Sequence, residues 1–332
     1  MRHALFLACS FFCCLALATR VYALTFVLPD AQNNIIGHVQ WTQALPGDTF
    51  DKIGRRYDLG YLELMESNPT IDPVHPIPGT IIVLPSRFIL PPGPRKGLVI
   101  NLAELRAYYY PPHRHIVHTY PVGIGREGWD TPLGDSWIAQ KIIDPVWQVP
   151  TSIRKDRAKD GVHLPSKVPP GPDNPLGGYA MRLKQETYLI HGTNSSEGIG
   201  RRSSAGCIRM FPEDIEELFP QMKRKERVFI MDSPYKIGWA GDKLYLEVHT
   251  PLQWQPGLEL TYIAAVKAYV QKNIQINNAR IVNIQLEKIN AIARDQNGIP
   301  QIIGHAAETQ KPSKHDTTLQ KTKPRLRQRG NE

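Results

Sequence analysis

Between His191 and Met210 runs H-G-T-N-S-S-E-G-I-G-R-R-S-S-A-G-C-I-R-M. Cys207 follows Ser204, Ala205 and Gly206, small residues that let the backbone turn tightly and leave its amides free. His191 closes the apolar run Tyr188-Leu189-Ile190. A free thiol has a pKa of about 8.5, so only a few per cent is thiolate at neutral pH. A neighbouring imidazole raises that fraction and later returns the proton to a leaving amine. Arg201, Arg202 and Arg209 add positive potential, which favours thiolate and an anionic substrate. A Cys-His pair with small residues at the nucleophile points to acyl transfer at an amide or ester. The amides of Gly206 and Cys207 are natural oxyanion donors. Two plainer readings stay open: Cys207 as a small buried hydrophobe and His191 as a satisfied strand-end residue. A zinc site needs three or four ligands, and one Cys with one His does not supply them. His113, His115 and His118 have no Cys or carboxylate to complete a set, so neither a metal nor another cofactor is expected.

The elements that must position this pair are short and punctuated. From Gly97 to about Asp232 come brief apolar runs separated by Gly and Pro: Gly97–Leu102, Glu104–Tyr110, His115–Gly123, Tyr188–Gly192 and Val228–Met231. Such spacing predicts a mainly β, sandwich- or barrel-like catalytic region over 97–232. Pro212–Phe219 reads as a short helix with Pro at its start. Upstream, residues 36–85 read as β-α-α-β. His38–Ala44 alternates as a strand, Asp48 caps a helix carrying Phe50, Ile53 and Tyr57, Asn68-Pro69 stops a second helix, and Thr80–Leu84 is the closing strand. Ser86–Lys96 is Pro-rich and reads as a semi-rigid linker. Residues 233–304 form an accessory region: a strand over Lys243–His249, then helical spacing from Gly257 to about Arg294. Residues 305–332 read as a basic disordered tail.

The remaining cysteines speak to compartment. Cys9, Cys13 and Cys14 fall in MRHALFLACSFFCCLALATRVYALTF, with a basic start at Arg2, an apolar stretch from Ala4 to Ala18 and Val21-Tyr22-Ala23 as a small-x-small site. This reads as a secretory signal peptide over 1–23, cleaved after Ala23, with a retained membrane anchor as the alternative. The apolar stretch is short against the ~20 residues of a membrane span, and Arg20 closes it. Cleavage leaves Cys207 alone. An exported lone thiol is a liability unless it is buried or used.

Composition sets the outer bounds. The 332 residues suggest about two domains, and 41% hydrophobic with 21% charged excludes a multi-pass membrane protein and wholesale disorder. The 29 Pro and 25 Gly point to many turns and loops, so a mostly helical bundle is not expected. The net charge of +9 suits an anionic partner. No nucleic-acid signature is present, so no nucleic acid is expected, and an acidic lipid or an acidic wall polymer stays open.

Two resemblances draw these strands together. Pro46-Gly47-Asp48-Thr49, Ile53, Tyr57, Glu63-Leu64, Asn68-Pro69 and Gly79–Pro85 resemble a LysM module. LysM modules bind N-acetylglucosamine glycans. The resemblance implies sugar contacts at Gly47, Asp48 and Thr49 and at Asn68, Pro69 and Ile71.

The motif H-G-T-N…G-I-G…S-x-G-C-I-R-M strongly resembles the YkuD-type L,D-transpeptidases of the periplasmic, LysM-containing (ErfK/YbiS-like) branch. Tyr120–Gly125, Thr131–Gly134, Pro145–Pro150 and Asn174–Gly177 fit the same pattern. The resemblance implies a YkuD-type β-rich fold with a C-terminal strand-plus-helix extension. It implies a periplasmic enzyme in which Cys207 attacks the carbonyl between meso-diaminopimelate and D-alanine of a tetrapeptide stem. D-alanine leaves, and an amine takes the thioester. His191 is then the general base, oriented by a carbonyl near Gly192, while Gly192, Ser204, Gly206 and Arg209 shape the pocket. Ala205 departs from the pattern, since many members carry a second histidine there. Peptidoglycan is the implied partner. An outer-membrane protein or lipoprotein is a second possible acceptor. Water as acceptor, giving an amidase or carboxypeptidase, and a non-catalytic wall-binding protein are the alternatives.

Overall fold

The computed structural model describes residues 23–276 and 282–306. Apart from Ala23, the expected signal peptide lies outside them, as do residues 307–332 of the expected tail. Within the described residues no helix is long and apolar enough to cross a membrane.

The chain is mostly β. Nine strands form one sheet in the spatial order Leu24–Val27, Ile116–Pro121, Arg106–Tyr110, Gly97–Asn101, Arg227–Met231, Gly134–Ile143, Tyr179–Leu183, Leu189–His191 and Ile208–Arg209. Pairing is antiparallel except where Gly97–Asn101 meets Arg227–Met231 and where Leu189–His191 meets Ile208–Arg209. The two-residue period of a strand explains how this sheet serves two cores. Leu98, Ile100, Ala107 and Tyr109 point to one side, against Ile215 and Leu218 of the later helix. Val99, Tyr108 and Tyr110 point to the other, against Ile36, Phe50, Ile53 and Leu64.

That second core belongs largely to the N-terminal βααβ unit. Gln40–Gln43 pairs with Ile81–Leu84 around helices α1 (Phe50–Tyr57) and α2 (Tyr61–Ser67). Thr49, not Asp48, caps α1, its side chain accepting from the Lys52 amide. The Asp48 carboxylate is spent elsewhere, on the Leu45 amide and on Arg56.

The stretch read as a linker also differs. Arg87–Ile89 is a strand paired with Ile35–Gly37, and Phe88, Ile89 and Leu90 are buried. Burial of three apolar side chains outweighs the looseness that neighbouring prolines suggest.

Helix α3 (Thr151–Lys159) lies on an arm between Ile143 and Tyr179 and buries none of its residues. Helix α4 (Pro212–Gln221) follows the cysteine motif and packs into the first core. The C-terminal region has its own core and a four-stranded sheet in the order Tyr235–Ala240, Lys243–Val248, Gln301–Ala306, Val282–Ile284. The helical run expected from Gly257 to Arg294 is broken. Helix α5 (Glu259–Ile276) is followed by the strand Val282–Ile284 and then by α6 (Leu286–Asp295). The expected tail begins late, because His305 and Ala306 still belong to the last strand.

Candidate active site

The cysteine turn is built from side chains that bind its backbone. Gly206 has φ +98°, and a Cβ there would lie 2.7 Å from Tyr188 Cε1, so the position requires glycine. Ser204 Oγ donates to the Cys207 carbonyl at 2.5 Å and accepts from the Gly206 amide at 3.1 Å. Thr131 Oγ1 donates to the Gly206 carbonyl at 2.9 Å and accepts from the Gly125 amide at 3.1 Å. Expected as an oxyanion donor, the Gly206 amide is thus already engaged. The Cys207 amide, by contrast, makes no hydrogen bond among the described residues.

The parallel pairing of Leu189–His191 with Ile208–Arg209 sets the chemistry. Ile190 opposes Ile208 and His191 opposes Arg209. Ile190 and Ile208 are buried in the core. The alternation of a strand therefore turns Leu189, His191, Cys207 and Arg209 to the other side, with His191 and Cys207 as diagonal neighbours. The Cys207 thiol donates weakly to the Thr187 carbonyl at 3.9 Å.

Electrostatics distinguish the two groups. His191 is buried, and its Nδ1 lies 2.6 Å from the Gly192 carbonyl. Burial, reinforced by the Arg209 charge, pushes its pKa down to about 3. The ring is therefore neutral at physiological pH. With its proton on Nδ1 and donated to Gly192, it keeps the Nε2 lone pair as an acceptor.

The thiol does not match the low pKa that the arginines suggested. Burial pushes Cys207 up, opposed by the Leu189 amide, Arg209 and Arg182. Arg201 and Arg202 are drawn away. Arg201 pairs with Asp51 at 2.8 Å and stacks on Tyr61, and Arg202 donates to the Leu252 carbonyl at 2.7 Å. Arg209 remains at the site.

Asn174 ties together the loop beside His191, an arrangement the sequence did not reveal. It is buried, donates to the Pro145 carbonyl at 2.7 Å and accepts from the Leu176 amide at 2.9 Å. Leu176 is in turn a backbone partner of His191. The signal available was the Asn-Pro-Leu-Gly run at 174–177, without a partner to read it against.

The six residues expected to meet sugar fall into two groups. The loops holding them adjoin, since the Phe50 amide donates to the Pro73 carbonyl at 2.8 Å. Gly47, with φ +77°, and Pro69 are exposed, while Thr49 and Ile71 are half-buried. Asp48 and Asn68 are buried and engaged. Asn68 donates to the Leu64 and Val83 carbonyls and accepts from the Val83 amide, tying α2 to the last strand of the unit.

This unit is clamped to the catalytic sheet. Gly200, between His191 and Cys207, has φ +67°, and a Cβ there would lie 2.4 Å from Gly60 Cα. Arg106 reaches Glu63 at 2.7 Å with both groups buried, and Arg55 reaches Glu213 at 2.8 Å.

A second polar cluster lies away from the thiol. Glu104, Glu247 and His249 hold ligand atoms within 4.8 Å of one another, the kind of set that grips a cation. Lys236 Nζ already stands among them, 2.5 Å from Glu104 and 2.7 Å from Glu247. The chain supplies its own positive charge there.

Comparison with known proteins places this architecture. The L,D-transpeptidase catalytic domain family, YkuD, matches residues 95–230, and the LysM domain family matches 45–85. "Probable L,D-transpeptidase YcfS" of Escherichia coli (strain K12) is 39% identical over 249 residues, covering 73% of this chain and 78% of its own. "Probable L,D-transpeptidase ErfK/SrfK" of the same strain is 39% identical over 251 residues, covering 74% and 79%. "Probable L,D-transpeptidase YbiS" is 38% identical over 236 residues, covering 69% and 76%.

Proposed function

Given that the chain belongs to the L,D-transpeptidase family and is a peptidoglycan L,D-transpeptidase, we propose that Cys207 is its nucleophile and His191 its general base. One observation carries the reading. A neutral buried imidazole and the chain's described free thiol share one face of a two-strand pair. Nε2 takes the thiol proton as Sγ attacks the carbonyl carbon between diaminopimelate and D-alanine. The Cys207 amide donates to the oxygen as it gains charge. Nε2 then returns the proton to the D-alanine nitrogen, the C–N bond breaks, and a thioester remains. An amine next attacks that thioester, losing its proton to Nε2. Arg209 supports the anionic stem, while Ser204, Gly206 and Gly192 hold the geometry.

The acceptor is proposed as an amine of a second stem, giving a cross-link, or of an outer-membrane protein or lipoprotein, giving anchoring. Water would make the protein a carboxypeptidase or an amidase. Mass spectrometry of wall fragments from cells with and without the protein separates these. Missing 3-3 dimers mean cross-linking, missing protein adducts mean anchoring, and accumulated tetrapeptides mean hydrolysis.

The N-terminal LysM unit ties the enzyme to wall glycan. Its sugar contacts are proposed at Gly47, Thr49, Pro69 and Ile71, with Asp48 and Asn68 shaping the loops from within. Export through the signal peptide over 1–23 places the enzyme in the periplasm. The catalytic unit is proposed as 97–232, the LysM unit as 36–85 and the accessory region as 233–304.

A further inference from the structure

The amides of Ala23 and Leu24 point at carboxylates. Leu24 N donates to Asp58 Oδ2 at 2.9 Å, and Ala23 N donates to Glu217 Oε2 at 3.1 Å. Asp58 ends α1 in the left-handed conformation, with φ 55°, and Asp214 lies in the first turn of α4. Each is 2% exposed. The Asp58 and Asp214 side chains hydrogen-bond to each other, which two carboxyls do only by sharing a proton, and neither Asp58 Oδ1 nor Asp214 Oδ2 meets a donor N–H or hydroxyl among the described residues. Arg106, the guanidinium beside them, is committed to Glu63, Thr119 and the Asp58 carbonyl. Burial lifts the Asp58 pKa to about 7 and that of Asp214 well above the usual carboxylate range. Two buried aspartates stand together on a shared proton, and the one guanidinium near them is already spent on Glu63. A peptide N–H offers one of them a partial charge where a whole one fits.

We propose that the chain is processed between Ala23 and Leu24 and that the freed α-ammonium of Leu24 is a structural cation seated against Asp58 and Asp214. The inference rests on the export reading above, and it adds what the new terminus does. Hydrolysis by a signal peptidase consumes one water and breaks the Ala23–Leu24 C–N bond. It leaves a carboxylate on Ala23 and an ammonium on Leu24. Ala23 is buried in the folded chain, so the cut precedes folding. Once cut, Leu24–Val27 pairs along Ile116–Thr119, with Leu24 opposite Thr119, and this register holds the ammonium in place. Asp58 belongs to the LysM unit and Asp214 to the helix after the cysteine motif, so the terminus pins the two units together.

The test starts from protein exported by cells and purified whole. Mass spectrometry of its N-terminal peptide should read Leu24. A different first residue overturns the processing site, and an uncut chain overturns the export reading beneath it. Three forms are then melted at pH 7: Leu24 with a free amine, Leu24 α-acetylated, and a chain retaining Tyr22-Ala23. The free amine should melt roughly 5 °C or more above the other two. In Asp58→Asn the gap should close to about 1 °C, because asparagine keeps the left-handed backbone but not the charge. Should that variant not fold, Asp214→Asn gives the same reading. Equal melting of the free and acetylated wild-type forms overturns the structural cation whatever the variants do.

Discussion

His191 and His249 are buried to the same degree, 3% and 4% exposed, and burial alone would push both towards the neutral form. They diverge. His191 has the Gly192 carbonyl and the Arg209 charge beside it, and its pKa falls to about 3. His249 has Glu247 at 2.7 Å and Glu66 at 3.7 Å, and its pKa rises to about 10. The partners decide the sign. A neutral imidazole beside a thiol can accept a proton. An imidazolium held by carboxylates cannot, and it serves instead to join strand Lys243–Val248 to α2. On the proposed mechanism the first histidine does chemistry, while the second holds architecture.

The sharpest way to break this comparison is at the thiol. Cys207→Ala should abolish transfer and leave the melting temperature near wild type. Intact-mass measurement should find one carbapenem adduct on wild type and none on the variant, and an adduct on both would remove Cys207 from the mechanism. The adduct should form faster as pH rises from 7 to 9, because burial holds the thiol up.

His191→Ala should cost at least ~100-fold in transfer rate. His249→Gln should cost little in rate but lower stability. If His249→Gln slows transfer as much as His191→Ala, the division between chemistry and architecture is wrong.

Lys236→Met should destabilise by about 3–5 kcal/mol in urea titration, since it leaves two buried carboxylates, Glu104 and Glu247, with only the His249 imidazolium between them. A loss under about 1 kcal/mol would mean that the carboxylates protonate at no cost.

The smallest effect is in pH dependence. The folded pKa of His249 lies above its unfolded value of about 6.5, so its contribution is full below that pH and is lost as pH rises towards 10. His191 has the opposite sign. Its folded pKa is depressed, so the unfolded chain binds the extra proton, and stability falls as pH drops from about 6.5 towards 3. His249→Gln should flatten the alkaline limb of a stability-pH curve and His191→Asn the acid limb. Unchanged limbs in both variants would refute the two assignments.

The sequence exposed the site better than its supports. His191 and Cys207 lie within one stretch of twenty residues, so their types and local glycines were readable together. Strands such as Gly97–Asn101 and Arg227–Met231 were readable from their own apolar runs. What escaped depended on distant partners. Lys236 and Glu104 come from other elements than the Glu247–His249 strand end, and nothing local marks the four as one cluster. Arg201 and Arg202 lie a few residues before the cysteine in sequence, yet their side chains leave for Asp51 and Leu252. Asp48 has the composition of a helix cap, but Arg56, in the last turn of α1, draws its carboxylate inward. Ser86–Lys96 read as a linker because its prolines are visible and the core awaiting Phe88 and Ile89 is not.

The contact of Gly60 with Gly200 joins the glycan-facing unit to the loop that carries the thiol. A wall-binding module on a loose tether would act as a leash, letting the thiol react with any stem within its radius. Two glycine backbones pressed together allow no such play. With the sugar-facing loops as proposed, grip and thiol stand apart like the jaws of a caliper locked at one opening. With both sites as proposed, such an enzyme would choose stems by their offset from the sugar it holds rather than by their local abundance.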